Sequence, residues 1–235
     1  MRVNAKVLYI FALPAVAVFV IVLVIGLLIW WPLALLSLPL AALAVWWMYR
    51  RSDEALLNSL NARGLGQTEG QRVTSTVENL SLASGIAQPE VMVIDTPACN
   101  VAVISGRQDT LVVTTGLLET LNLLEMEGVV AHALSKLSTG AMKYGTLAAS
   151  AKPFITNGQI ETARRWGIAE AGVVTYDISG VGLTRYPPGL RSALEQMVGV
   201  STEIPGAQAL GDAWFVPPTA DKADIGHRIE VLGEL

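Results

Sequence analysis

The stretch VLYIFALPAVAVFVIVLVIGLLIWWPLALLSLPLAALAVWWMY, residues 7–49, decides the architecture, because no charged side chain interrupts it between Lys6 and Arg50. One helix crosses a bilayer core with about 20 residues, so a run this long reads as two passes, about 8–29 and 32–49. The predicted turn is at Trp30, Trp31 and Pro32. Tryptophans favour the membrane interface, and a second pair, Trp46 and Trp47, marks the opposite boundary beside Arg50 and Arg51. A cleaved signal peptide is the competing reading, but its apolar region is short, whereas this run continues past Trp31.

Arg2 and Lys6 precede the first pass and Arg50 and Arg51 follow the second, so the excess of basic residues places both termini in the cytoplasm of a multi-pass inner (plasma) membrane protein. Residues 1–51 are then the membrane hairpin and 52–235 a cytoplasmic domain. The whole chain is 52% hydrophobic and only 15% charged. Its net charge of -4, without a basic block outside the membrane flanks, leaves no electrostatic footprint for nucleic acid. Cys99 is the single cysteine, which excludes an intrachain disulfide and a cysteine-rich metal site. No ionisable residue within 7–49 suggests transport or a proton relay.

Outward from the membrane, Leu56, Leu57 and Leu60, then Val73, Val77, Leu80 and Leu82, recur at helical spacing, with a break at Gly64-Leu65-Gly66 and a stop at Gly85. Runs rich in β-branched residues at 91–94, 101–104 and 111–115 predict three strands of a small sheet. Helical spacing returns over 116–121 and 124–137, followed by a weakly patterned segment to Asn157. Further helices are expected at 159–176, at 188–198 and around 227–232. The fold class is α+β, a mainly helical domain with a small sheet behind a transmembrane hairpin.

Four segments taken together resemble one family: Val77-Glu78-Asn79-Leu80-Ser81-Leu82-Ala83-Ser84-Gly85-Ile86, residues 91–95, Asn100-Val101-Ala102, and Val113-Thr114-Thr115-Gly116-Leu117-Leu118. With Glu125-Met126-Glu127-Gly128-Val129-Val130-Ala131-His132-Ala133-Leu134-Ser135-Lys136, their order and spacing are similar to the HtpX-type integral membrane metallopeptidases. The resemblance implies a zincin-like domain. In that family two histidines at i and i+4 hold zinc, and the glutamate after the first activates the metal-bound water. Here His132 stands alone: Ala133 occupies the general-base position and Lys136 the second ligand position.

Pro187-Pro188-Gly189-Leu190-Arg191-Ser192-Ala193-Leu194-Glu195 resembles the family's N-P-x-x-L-x-x-A-L-E. It sets the family's later aspartate at Asp177 and its third zinc ligand at Val173, which cannot ligate. Val216-Pro217-Pro218 and Arg228-Ile229 resemble the H-P-P and E-R-I elements. Residues 140–157, holding Lys143, Lys152 and Pro153, are too short to supply the two further membrane passes typical of the family.

A catalytic zinc site takes three protein ligands, so the expectation is no zinc and no other cofactor, with His132 a half-buried, hydrogen-bonded side chain. Asp177 is expected to pair with His132 or Lys136. Substitute ligands would be Glu170 and His227. Ser135 and Lys136 are adjacent on a helix and point about 100° apart, which disfavours a nucleophile pair. Asn100, Val101, Ala102 and Val103 correspond to the strand along which the family lays its substrate, so an open edge there would take a peptide by strand addition.

The functional expectation is a catalytically inactive, HtpX-like pseudoprotease, not an enzyme, serving as a scaffold or accessory subunit of a membrane protein complex. Its partners are membrane proteins, met through residues 7–49 and the cytoplasmic domain, and the lipid bilayer. The alternatives are a peptide- or unfolded-protein-binding regulator of membrane protein quality control, and an active metallopeptidase with a rebuilt zinc site.

Overall fold

The computed structural model describes residues 5–29, 31–66, 70–140, 142–168, 172–204, 207–217 and 220–235. Arg2, Trp30, Glu170 and Pro218, named above, lie outside the described residues. The chain is mostly helical, with a small mixed sheet and one N-terminal helix, α1 (Ala5–Ile29), long and apolar enough to cross a membrane. A 3-10 turn at Trp31–Leu36 follows, then α2 (Ser37–Arg50), which packs against α1. Pro39 is tolerated because it sits in the first turn of α2, where backbone N–H groups have no intrahelical acceptor.

Beyond α3 (Ser52–Ser59) come β1 (Arg63–Gly64), α4 (Gln71–Ser84), β2 (Glu90–Ile94), β3 (Val101–Ser105) and β4 (Asp109–Thr114). The sheet order is β1-β2-β4-β3, with β2 and β4 parallel and the other neighbours antiparallel. Both of its faces are covered. Val101, Val103, Leu111 and Val113 join one core cluster, while Ala102, Ile104 and Val112 join another. Burial on both sides is why these strands read as continuous apolar runs rather than alternating ones. α4 ends where Gly85 takes a left-handed φ of 68°, as the sequence predicts.

The remaining helices are α5 (Thr115–Thr120), α6 (Leu123–Ser138), α7 (Met142–Ala151), α8 (Asn157–Ile168), α9 (Val173–Thr184), α10 (Pro187–Val198) and α11 (Lys222–Gly233). α6 is the central one, packed by α4, α9, α10 and β3. Its start is fixed by a capping box in which the Asn122 side chain accepts from the Glu125 N–H and Glu125 Oε2 accepts from the Asn122 N–H. Glu125 is itself buried, and its Oε1 accepts from Ser192 on α10 at 2.6 Å.

The predicted single helix over 159–176 is two elements, α8 and α9, with Gly172 in extended conformation immediately before α9. α7 was not expected from the sequence. Its residues YGTLAASA have small or apolar side chains around most of the helix, and six of its ten positions are buried, so no polar face marks a helical period.

Candidate functional site

Every residue from Val129 to Leu137 on α6 is buried, and His132 is 0% exposed. The side chain that meets it comes from α9, brought in by a close helix crossing. A Cβ added to Gly180 would lie 2.8 Å from the His132 backbone nitrogen. Only glycine permits that approach, and it sets Asp177, about one turn earlier on α9, against the imidazole.

His132 Nδ1 and Asp177 Oδ1 are 2.6 Å apart. Arg228, on α11, completes the group. Its Nε donates to Asp177 Oδ2 and its Nη2 to Oδ1, both at 2.7 Å, while Nη1 donates to the Phe215 carbonyl at 2.9 Å. Burial would raise the Asp177 carboxyl, yet His132 and Arg228 beside it outweigh burial and hold it below the usual carboxylate range. Asp177 is therefore ionised and can only accept, which puts the imidazole proton on Nδ1 and a lone pair on Nε2.

Burial, and then the nearby Lys136 charge, lower the His132 pKa to about 3 against the opposing pull of Asp177. The 2.6 Å contact is thus a hydrogen bond from neutral histidine to a carboxylate rather than an ion pair. Nε2 meets no hydrogen-bond partner among the described residues. The Phe215 ring stands edge-on against the imidazole, with centroids 4.8 Å apart.

Lys136 is 1% exposed and lies one turn beyond His132 on α6. It does not hydrogen-bond to Asp177. Its Nζ donates to the backbone carbonyls of Trp214 at 2.8 Å and Asp212 at 3.1 Å. Burial, and then Arg228, pull its pKa down to about 7, partly offset by Asp177 and Asp212.

Those carbonyls belong to a strap that runs along the edge of β3. Ala102 and Trp214 form an antiparallel bridge, and the Phe215 N–H donates to the Val101 carbonyl at 2.7 Å. Asn100 clamps the end of the strap: its Nδ2 donates to the Val216 carbonyl at 2.8 Å and its Oδ1 accepts from the Val216 N–H at 3.2 Å. Asn100, Val101, Ala102 and Val103 are all buried, so in this structure the expected peptide edge is taken by the chain's own residues 213–216.

The other candidates are scattered. Val173 is the first residue of α9 and half-buried, and His227 is exposed on α11. Ser135 donates to the Ala131 carbonyl one turn back, away from the bonds made by Lys136 Nζ. Arg228 and the strap were missed as parts of the site. A signal for Arg228 existed, since it shares the helical spacing of the buried Ile225 and Leu232 and so falls on the apolar face of α11.

Zinc, implied by the resemblance, can be tested against these donors. His132 has one feature of a ligand, an unpartnered Nε2 with a carboxylate orienting Nδ1. The rest does not fit. Both Asp177 oxygens are committed to Arg228 and His132, a lysine occupies the next turn, and no three His, Cys, Asp or Glu side chains converge among the described residues.

Comparison with known proteins gives the similarity a name. A protein of Dictyoglomus turgidum named Protease HtpX homolog is 29% identical over 189 residues, covering 65% of this chain and 62% of that protein. The chain is similar to HtpX proteases. Proteins of the same name from Tropheryma whipplei and Pyrococcus furiosus are 37% identical over 89 residues and 32% identical over 118 residues. The first covers 37% of this chain and 30% of its own length, the second 49% and 40%. These similarities support a place in the HtpX family, although the chain spans less than two thirds of the relatives' length. No protein-family model matches the chain. No solved structure matches it either.

The HtpX relatives overturn the expectation of an inactive scaffold or accessory subunit. They are named as proteases, which points to an enzyme and to the peptidase reading in place of a pseudoprotease.

Proposed function

We propose that the chain is a membrane-anchored peptidase of the HtpX type acting on polypeptides. The observation that carries the reading is the similarity to proteins named as proteases. α1 and the apolar helix Ala34–Arg50 form a two-pass hairpin. Lys6, Arg50 and Arg51 lie at its domain-proximal end, which favours a cytoplasmic side for the domain. The domain is zincin-like, with α6 as its central helix.

His132 contributes an oriented acceptor. Asp177 holds the ring, and with a pKa of about 3 the imidazole stays neutral near pH 7, so Nε2 presents a lone pair that accepts a hydrogen bond or binds an electrophile but is a weak base. Phe215 and the strap lie against it. A polypeptide reaches Nε2 only after residues 213–216 leave β3, and the freed edge at Asn100–Val103 then accepts it as an added strand.

The test is degradation of casein by the detergent-purified full chain, with and without chelator and beside His132→Ala. Cleavage that is lost in His132→Ala supports the reading, and chelator sensitivity would show that the cleavage requires a metal ion. Absence of cleavage under all conditions, with or without added zinc, overturns it.

A further inference from the structure

We infer that the turn between α7 and α8, Lys152–Ile155, rests on the bilayer as a second contact with lipid, with Phe154 entering the surface of the membrane. The inference depends on α1 crossing a membrane, as proposed above. α7 and α8 both pack against the first turns of α1. Lys6, the only charge described on α1, has its ammonium 4.9 Å from the Tyr144 ring centroid at the start of α7. At the same level Lys143 lies 5.6 Å from the Tyr49 ring and Arg50 4.8 Å from the Trp46 ring. Cations stacked on aromatic side chains at one height are what a membrane boundary selects.

From that level α7 advances beside α1. Ile10 and Phe11 of α1 share one buried cluster with Leu147, Ala148 and Ala151 of α7 and Ala163 of α8. One face of α7 from Leu147 to Ala151 stays on the cluster that holds Ile10 and Phe11, while Ala149 faces the sheet-side core. The chain then turns through Lys152–Phe154 and comes back, and Gln159 Nε2 of α8 donates to the Tyr9 carbonyl at 2.9 Å. The turn therefore lies near residues 9–11 of α1, just beyond the last charge described on that helix.

The turn has the chemistry for that place. Phe154 is 56% exposed, although its neighbour Ile155 packs against the cluster that contains Ile10 and Phe11. Water around an exposed phenyl ring is unfavourable, whereas lipid acyl chains accept it. Lys152, two residues earlier, is exposed and long enough to keep its ammonium among the phosphates of anionic lipids.

The experiment places one nitroxide spin label at Phe154→Cys, Val20→Cys or Leu82→Cys in the full chain, reconstituted in vesicles of phosphatidylcholine and phosphatidylglycerol. Cys99 is buried with its thiol pushed up to about 11, so it leaves the introduced cysteine as the reactive one. Collision rates with oxygen and with a water-soluble nickel chelate are then compared. Val20, 45% exposed on α1, reports lipid if the anchor is right, and Leu82, 76% exposed on α4, reports water. The expected result at 154 is an oxygen-to-nickel ratio severalfold above that at 82. A ratio at 154 equal to that at 82, with 20 in lipid, overturns this inference alone. Water at 20 overturns both it and the membrane anchor.

Discussion

Lys136 is a long buried cation whose ammonium hydrogen-bonds to two backbone carbonyls, and its charge carries a pH signature. Folded, it titrates near 7; unfolded, near the ordinary lysine value of 10.5. Between those values the unfolded chain binds more protons, so stability must rise with pH across the window and be independent of this group below it. Each pH unit there is worth up to about 1.4 kcal/mol. We expect the urea midpoint of the soluble domain in the full chain to climb from pH 7 to 9, and Lys136→Met to remove that climb. An equal slope in both proteins would show that Lys136 is not buried as a strained cation. Asp177 was legible as a partner for His132 or Lys136, and the structure chooses His132. The guanidinium holding Asp177 from the far side was not, because its helix is nearly a hundred positions from His132.

At the scale of elements, β2, β3, β4, α6 and α10 could be read closely from period and punctuation, while the two-residue β1, read as a break at Gly64, and the crossing that makes the site could not. Nothing in a sequence window announces that Gly180 faces the backbone of another helix and Gly182 faces open space. The pair offers a test in which the same chemical change has opposite signs. At Gly182 a methyl group meets nothing within 4 Å, so Gly182→Ala should stabilise by about 0.5–1 kcal/mol through helix propensity. At Gly180 the methyl would stand 2.8 Å from a backbone nitrogen and 3.0 Å from the Cα of His132, neither of which can rotate away. Gly180→Ala should therefore push α9 off α6 and cost about 1–3 kcal/mol. Thermal midpoints of the two variants on opposite sides of the parent bear out the crossing; a neutral Gly180→Ala refutes it.

Across the whole molecule, the membrane helix and the domain are mechanically one object. The apolar run at 7–49 announces the anchor, but not that its first turns are also domain core, since Ile10 and Phe11 look like any other lipid-facing residues in sequence. In the structure they are 0% and 1% exposed, packed on α7 and α8 rather than left for lipid. α7 in turn reaches the sheet, where Thr146 Oγ1 accepts from the Ser105 N–H at 3.0 Å at the end of β3. Phe11→Ala removes the largest fully buried side chain from the joint and should cost about 3–5 kcal/mol if the surroundings do not collapse. That loss should be read in the domain and not only in the anchor. Phe11→Ala is expected to increase hydrogen exchange at the amides of α7 and at Ser105, whereas Val20→Ala, on an exposed stretch of the same helix, leaves them unchanged. Identical exchange in the two variants would mean that the anchor merely tethers the domain and transmits nothing to the edge of β3.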